Sequence, residues 1–377
     1  MKIKSLYIFF LALSALVGCT NDEDAGGALQ QKEDARLSIA VKIENKISST
    51  KAVDGDVHAL EGETNINNLA VLIFDYAGNR TGYKWESLEG VHGSATINNV
   101  ETKTGQARIV IVSNVPENAF ASVQTYTGFQ DAYATLANQS QTNLTMSSRV
   151  ISTNDALQKG DNYIGFSTLD NIDGMNEPVY ITRIAARIDL RSVETRFAGT
   201  ALAGRQVRIE SVSLVRVKDA SRYFSVDHWG EVEMPGNFVD GIGFGNVGGF
   251  VYVMENGASE DATCLSIRAT LLETDDYLAQ THDFLVRINE NGLANGYDHN
   301  FIKRNYVYAL NVAFTGESFT NVEKTDPVPD PDPVPDPDPD PTPPTPPTPP
   351  TPENPTNISV YAEVFAWGNV VQTPSFD

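Results

Sequence analysis

Between Asp326 and Pro355 the chain carries 16 of its 20 prolines. A tract of that density forms neither helix nor central strand, because proline has no N–H to donate and its ring fixes φ. It reads as an extended polyproline II spacer, rising about 3.1 Å per residue and reaching about 90 Å at full stretch. Its aspartates repel one another and stiffen it. Beyond it lies one alternating segment, "ISVYAEVFAW", with Ile358, Val360, Ala362, Val364 and Ala366 on one face. This is a single strand on a tether. Its unpaired backbone groups and apolar face require a sheet to join, so the fold is constrained by whose sheet that is.

The rest of the chain alternates with the same period. "RLSIAVKI" places Leu37, Ile39, Val41 and Ile43 on one face, and "LAVLIFDYAGN" and "QARIVIVSNVP" read as buried strands ending in turns. Residues 117–140 have helical spacing at Phe129, Tyr133 and Leu136. "NYIGFSTLDNIDGMNEP" reads as a connector between two domains. "VYITRIAARIDLRSV" then reads as one strand, with Tyr180, Thr182, Ile184, Ala186, Ile188 and Leu190 on its apolar face. Arg183, Arg187 and Arg191 on the opposite face are expected to point to solvent. Further strands follow in "RIESVSLVRV", "GGFVYVME", "CLSIRATLL", "HDFLVRI" and "NYVYALNVAF". With 377 residues and 41% hydrophobic content, the expectation is an all-β chain of two tandem β-sandwich domains, a Pro-rich tether and a C-terminal strand.

The formal net charge is −22, which disfavours nucleic acid or an anionic membrane surface as a partner. The N-terminus pairs Lys2 and Lys4 with an apolar run from Leu6 to Val17, too short to span a bilayer and shaped like a secretory signal. The run ends in "LVGC", which resembles the bacterial lipobox and implies lipidation at Cys19. The acidic "NDED" after it resembles a surface-export signal of Bacteroidetes lipoproteins, and reads equally as a solvated linker. Cys264 is then the one remaining cysteine, so no intrachain disulfide framework is expected, and it reads as a small buried hydrophobe.

Catalytic patterns are missing from the sequence. The five histidines stand singly, without HExxH spacing, and there is no GxSxG, P-loop or dinucleotide fingerprint. "DHWGE" around His228 reads as a turn beside a strand. "NENGLANGYDHN" reads as a turn-rich hairpin loop rather than a calcium cage. No cofactor, no metal and no enzymatic activity are expected.

Four motifs occur in order: "INNLAVLIFDYAGN", "VYITRIAARIDL", "GFVYVMENG" and "KRNYVYALNVAFTG". With the lipobox they resemble the Bacteroidales fimbrillins, the FimA-like subunits of type V pili. The resemblance implies transthyretin-like β-sandwich domains and a role in building or tipping a pilus. It also implies export to the outer membrane as a lipoprotein, proteolytic removal of the first strand, and filling of the vacated groove by a strand from another subunit. On that basis residues 1–18 are a signal peptide and 19–51 a lipidated propeptide with the first strand. The two sandwich domains would span 52–172 and 173–325, the linker 326–356 and the donor segment 357–377.

The expected processing bond is Lys51–Ala52, with Lys46 nearer the strand. The family's usual arginine is absent from this loop, and a cut at Arg36 would leave the first strand in place. Ile358, Val360, Ala362, Val364 and Ala366 are the expected donor face, similar in period and composition to that of the first strand. Donation to a neighbour is the favoured expectation, and folding back into the chain's own second domain is the alternative. Expected partners are other copies of the chain or related pilins, and the outer membrane through the lipid before processing; no receptor is identified by sequence. The competing readings are a lipid-anchored adhesin or glycan-binding module, and a pilus anchor that does not polymerise.

Overall fold

The first domain forms because its apolar residues alternate along strands that all turn one face inward. In a computed structural model of the protein, residues 32–44, 59–224, 235–324 and 358–367 are described. Cys19, Lys46, Lys51, Ala52, His228 and the proline tract lie outside them. The described residues from Glu33 onward fold as one compact unit.

The first sheet is built from β1 (Asp34–Ile43), β2 (Asn68–Asp75), β3 (Arg80–Ser87), β4 (Ser94–Lys103) and β5 (Ala107–Ser113). After the short β6 (Tyr133–Thr135), which lies elsewhere, come β7 (Met146–Ser148), β8 (Ile151–Ser152), β9 (Gly160–Ile164) and β10 (Val179–Arg183). The main order is β3-β2-β5-β7-β10-β1-β4, with β8 on β5 and β9 on β1. The sheet curls until its outer strands meet. Gly82 of β3 is required there, since a Cβ would lie 2.5 Å from the Glu101 carbonyl oxygen of β4. The interior holds Leu37, Ile39, Val41 and Ile43 together with Leu69, Val71, Ile109, Ile111 and Ile181.

The second domain is a sandwich. Its strands are β11 (Ala185–Arg196), β12 (Val207–Val215), β13 (Val217–Lys218), β14 (Ala220–Arg222), β15 (Phe238–Val239) and β16 (Ile242–Gly243), followed by β17 (Phe250–Met254), β18 (Cys264–Leu271), β19 (Gln280–Arg287), β20 (Tyr306–Thr315) and β21 (Ile358–Ala366). Sheets β17-β11-β20-β21 and β16-β12-β18-β19 close over Ile188, Leu190, Leu214, Leu265, Ile267, Leu310 and Phe314. Cys264 is buried, as its alternation implies. The short β14 pairs with β6, and β13 with β15, so β6 ties the first domain's loop to the second domain.

Two readings are corrected. Residues 117–140 hold one short α-helix, α1 (Tyr126–Gln130), capped by Thr125, whose side chain accepts from the Gly128 N–H at 3.1 Å, and a single 3-10 turn at Leu136–Asn138. Phe129 is buried against Phe74 and Phe120, but Tyr133 lies in β6 and is exposed. Pairing with β14 outweighs the helical spacing. The segment from Val179 is two strands, not one: β10 completes the first sheet and β11 opens the second. Between them Ile184 donates its N–H to the Thr145 carbonyl at 3.0 Å. The change of domain falls at Ile184 rather than residue 173, because the expected connector contributes β9 and β10 to the first sheet.

The turn-rich segment 289–303 is pinned by buried His299. Its Nδ1 bonds Asp298 Oδ1 at 2.7 Å, and its Nε2 bonds the Tyr308 hydroxyl at 2.6 Å, which also accepts from Lys303 N–H at 2.7 Å. Nδ1–H donating and Nε2 accepting uses each proton once. Burial lowers the pKa of His299, so the folded state keeps the ring neutral where the unfolded chain takes up a proton. Folded stability is therefore full above the unfolded value of 6.5 and declines as pH falls from there through the folded value. Urea midpoints measured at pH values from about 7.5 to about 5.5 should fall in the wild type, and His299→Gln should flatten that fall.

Candidate functional site: the seats of the first and last strands

β1 lies inside the first sheet, not at its edge. It runs antiparallel to β4, with Leu37 opposite Val100, and parallel to both β9 and β10, with Val41 opposite Val179. Leu37, Ile39, Val41 and Ile43 are all buried, as alternation implies. Withdrawing β1 would uncover Ile97, Val100 and Ile181 and leave ladder groups open on both sides of one slot. Burying four aliphatic side chains there is worth about 6–12 kcal/mol gross. Arg36 points outward and pairs with Asp161 at 2.6 Å, while its backbone sits in the ladder opposite Glu101. A protease would have to open the sheet to cut there.

β21 pairs antiparallel with β20, from Ala366 opposite Tyr306 to Ile358 opposite Phe314. Ile358 and Val364 are buried in the sandwich core, with Val360 and Ala362 packed against it. Ile358, Val360, Ala362 and Val364 thus turn to the core, and the side chain of Ala366 lies outside what is described. The seat differs from the favoured expectation: the strand lies in the chain's own second domain.

Its opposite face explains the arginine row. Arg183 and Arg187, expected in solvent, are buried. Strand alternation does put them opposite the core, but Phe365 of β21 and Trp367 just beyond it cover that face. Arg183 lies over the Trp367 ring at 4.8 Å, Arg187 over the same ring at 5.5 Å, and Arg191 over Phe365 at 5.1 Å. Tyr252 of β17 stacks on Trp367 at 5.9 Å, with 8° between the rings. Arg191 also reaches Glu363 at 3.0 Å and remains partly exposed.

Glu63 balances the buried cations. Arg187 Nη1 donates to Oε1 and Oε2 at 2.9 and 2.8 Å, Tyr252 OH donates to Oε1 at 2.7 Å, and Trp367 Nε1 donates to Oε2 at 2.9 Å. The Leu60 N–H adds a bond at 2.6 Å. Arg187 also forks onto Asp189 at 2.8 and 3.2 Å. Two guanidinium groups therefore face two carboxylates, the condition under which buried charge is tolerated. Burial pulls the Arg183 pKa down to about 10, still protonated at neutral pH. Burial and then Glu63 push the Tyr252 phenol up, keeping it a donor.

Asn305 closes the clasp. Its φ of 61° is a left-handed conformation that asparagine tolerates. In that pose Oδ1 accepts from Arg183 at 3.3 Å and the main-chain carbonyl accepts from Trp367 N–H at 3.2 Å. Beside it, Arg304 Nε donates to Glu255 Oε2 at 2.9 Å and Nη2 to the Arg222 carbonyl at 2.8 Å. Ser221 joins the same group through Glu255 at 2.9 Å. The motifs "ENG" and "KRN" thus meet in space.

Sequence reasoning missed Glu63 and the roles of Tyr252 and Trp367. One signal was available: three arginines spaced four residues apart in an acidic chain, with a tryptophan closing the alternating segment after the proline tract. Among the described residues no group of three or more His, Cys, Asp or Glu is arranged to hold a metal.

Glu63→Ala leaves two buried guanidinium groups short of a counter-charge and should lower stability by about 3–5 kcal/mol. Trp367→Ala should cost about 3–5 kcal/mol and expose β21 to limited proteolysis. Arg191→Ala, in a half-exposed pair, should cost under about 1 kcal/mol. Denaturant titration of the three variants measures the order.

Residues 35–183 match the family described as major fimbrial subunit protein (FimA). Residues 184–367 match the C-terminal domain described as fimbrium tip subunit Fim1C-like. The two matches abut where the chain passes from β10 to β11. The chain is 46% identical over 341 residues to a candidate fimbrium tip subunit, Fim1C, of Parabacteroides distasonis, covering 86% of this chain and 90% of that one. Among solved structures, a candidate cell adhesion protein from Parabacteroides distasonis is similar with a TM-score of 0.75 at 43% identity, covering 90% of this chain and 98% of its own. A fimbrilin from Porphyromonas gingivalis shares the fold, with a TM-score of 0.56 at 18% identity, covering 90% and 99% of the two chains.

Proposed function

The chain belongs to the FimA-like fimbrillin family of structural, non-enzymatic fimbrial subunits, and on that premise we propose that it caps a fimbrium at the tip, accepting a neighbour's strand in place of β1. In a polymer held by strand exchange, an interior subunit both accepts and donates, whereas a terminal subunit needs only one of the two. The observation that carries this reading is the clasp: β21 fills its own sandwich, and Trp367 locks it to Glu63 with matched charges. β1 carries no comparable side-chain lock on its buried face, only aliphatic packing and ladder bonds.

Assembly would begin with lipidation at Cys19 and export to the outer membrane, followed by cleavage at Lys51–Ala52 and loss of β1. The incoming strand would come from a related pilin and present aliphatic residues at alternate positions. Donation of Ile358–Ala366 to a neighbour is the second reading, favoured by the long proline tract that precedes the strand.

Deleting residues 357–377 separates the two. On the tip reading the truncated chain loses stability in its second domain and exposes the sandwich core to a hydrophobic dye. On the donor reading it stays a folded monomer that no longer joins filaments with processed partners. Cys19→Ser should move the precursor out of the detergent phase in partitioning; unchanged partitioning counts against lipidation. Lys51→Ala should leave residues 37–51 on protein recovered from cells, and mass measurement of its N-terminus reads this directly.

A further inference from the structure

We propose that the cleft at the seam of the two domains binds a neutral carbohydrate. The cleft holds about 580 Å³, within the range of small-ligand pockets, and it lies at a domain junction, where such pockets concentrate. Arg149, Glu177 and Tyr180 line it from the first domain, and Asp298, Lys303 and Tyr306 from the second.

Tyr180 is the first reason. β10 turns Val179 and Ile181 into the core and leaves Tyr180 44% exposed. Among the described residues, the side chains of Tyr180, Arg149 and Glu177 have no hydrogen-bond partner, so a ring and three sets of polar groups face the cleft unused. The second wall is already organised. Tyr306 OH and Lys303 Nζ both donate to Asp298 Oδ2, at 2.9 and 2.8 Å, and Lys303 lies 5.5 Å from the Tyr306 ring centre. The bond from His299 holds the Asp298 carboxyl well below the usual carboxylate range, so it stays a charged acceptor.

Charge decides the ligand class. In the lining Glu177 and Asp298 balance Arg149 and Lys303, and Arg304 is already paired with Glu255, which leaves the site near neutral on a strongly acidic protein. A phosphate or a sialylated sugar gains no net attraction there. A neutral sugar ring offers C–H faces for tyrosine and hydroxyls that both donate to carboxylates and accept from Arg and Lys, with charge-assisted bonds on both sides. The site is that of the chain with β1 in place: Lys42 of β1 pairs with Tyr180, and Glu44 follows β1 directly.

The test uses the full-length chain carrying Cys19→Ser on an array of neutral, N-acetylated and sialylated oligosaccharides, with affinities for the bound probes then measured by calorimetry. Neutral probes should be retained, and Tyr180→Ala should weaken them by about tenfold. Tyr133→Ala, an exposed tyrosine outside the cleft, should leave affinity unchanged. Each of these substituted tyrosines is exposed, so folding is preserved. Three results overturn the proposal: no glycan retained, preference for sialylated probes, or equal loss from Tyr133→Ala and Tyr180→Ala.

Discussion

A single buried carboxylate organises the junction between the domains. Glu63 lies in the turn ahead of β2, yet its oxygens serve Arg187 of β11, Tyr252 of β17 and Trp367 beyond β21. Two arginines in a dry interior would be intolerable without it. With it they become flat supports for tryptophan, since a guanidinium can stack and hydrogen-bond at once. The Trp367 ring therefore has cations on it, a tyrosine against it and an N–H donated to the counter-charge. Hydrophobic burial alone would hold β21 at its even face; the clasp fixes its end and register.

The same junction lies next to the end of β1. Glu44 N–H bonds the Ile181 carbonyl at 2.9 Å, and Ile43 N–H bonds the Gly93 carbonyl at 2.8 Å. Ile181 is two residues from Arg183, and Gly93 N–H bonds Thr64, the neighbour of Glu63, at 3.0 Å. The seats of the first and last strands are thus joined through main-chain bonds to one polar network.

Much of this was legible in the sequence. Period-two alternation at Leu37–Ile43 and Tyr306–Phe314 marks strands whose core faces are those observed, and the continuous apolar run Leu69–Phe74 marks a strand buried on both faces. The motif order pointed to the family. The arginine row was misread for a reason of principle: alternation says which residues oppose the core, but not whether a second layer covers them. That layer comes from Trp367, which is 184 residues beyond Arg183 and separated from it by the proline tract. The break at Ile184 was invisible for a related reason. Apolar residues continue on one face through Ile184, so pattern alone shows no change of sheet. The helix expected over 117–140 failed where β6 found a partner in β14, a nonlocal pairing that local spacing does not encode.

β1 and β21 look interchangeable by composition, and their seats show why they are not. Both present four aliphatic side chains at alternate positions. β1 is flanked on both sides, antiparallel to β4 and parallel to β9 and β10, so its backbone satisfies two unlike ladders. β21 meets one neighbour, β20, and its outer edge has no strand beside it among the described residues. By backbone pairing alone β21 should be the easier of the two to release. Its odd-numbered face reverses that order, because Phe365 and Trp367 are held by stacked arginines and a buried carboxylate, while the matching face of β1 has a buried Ser38 that accepts one bond from the Asn99 N–H, a half-buried Ala40 and an exposed Lys42. The two strands thus differ most on the face away from the core, where β21 carries the arginine and carboxylate contacts and β1 does not.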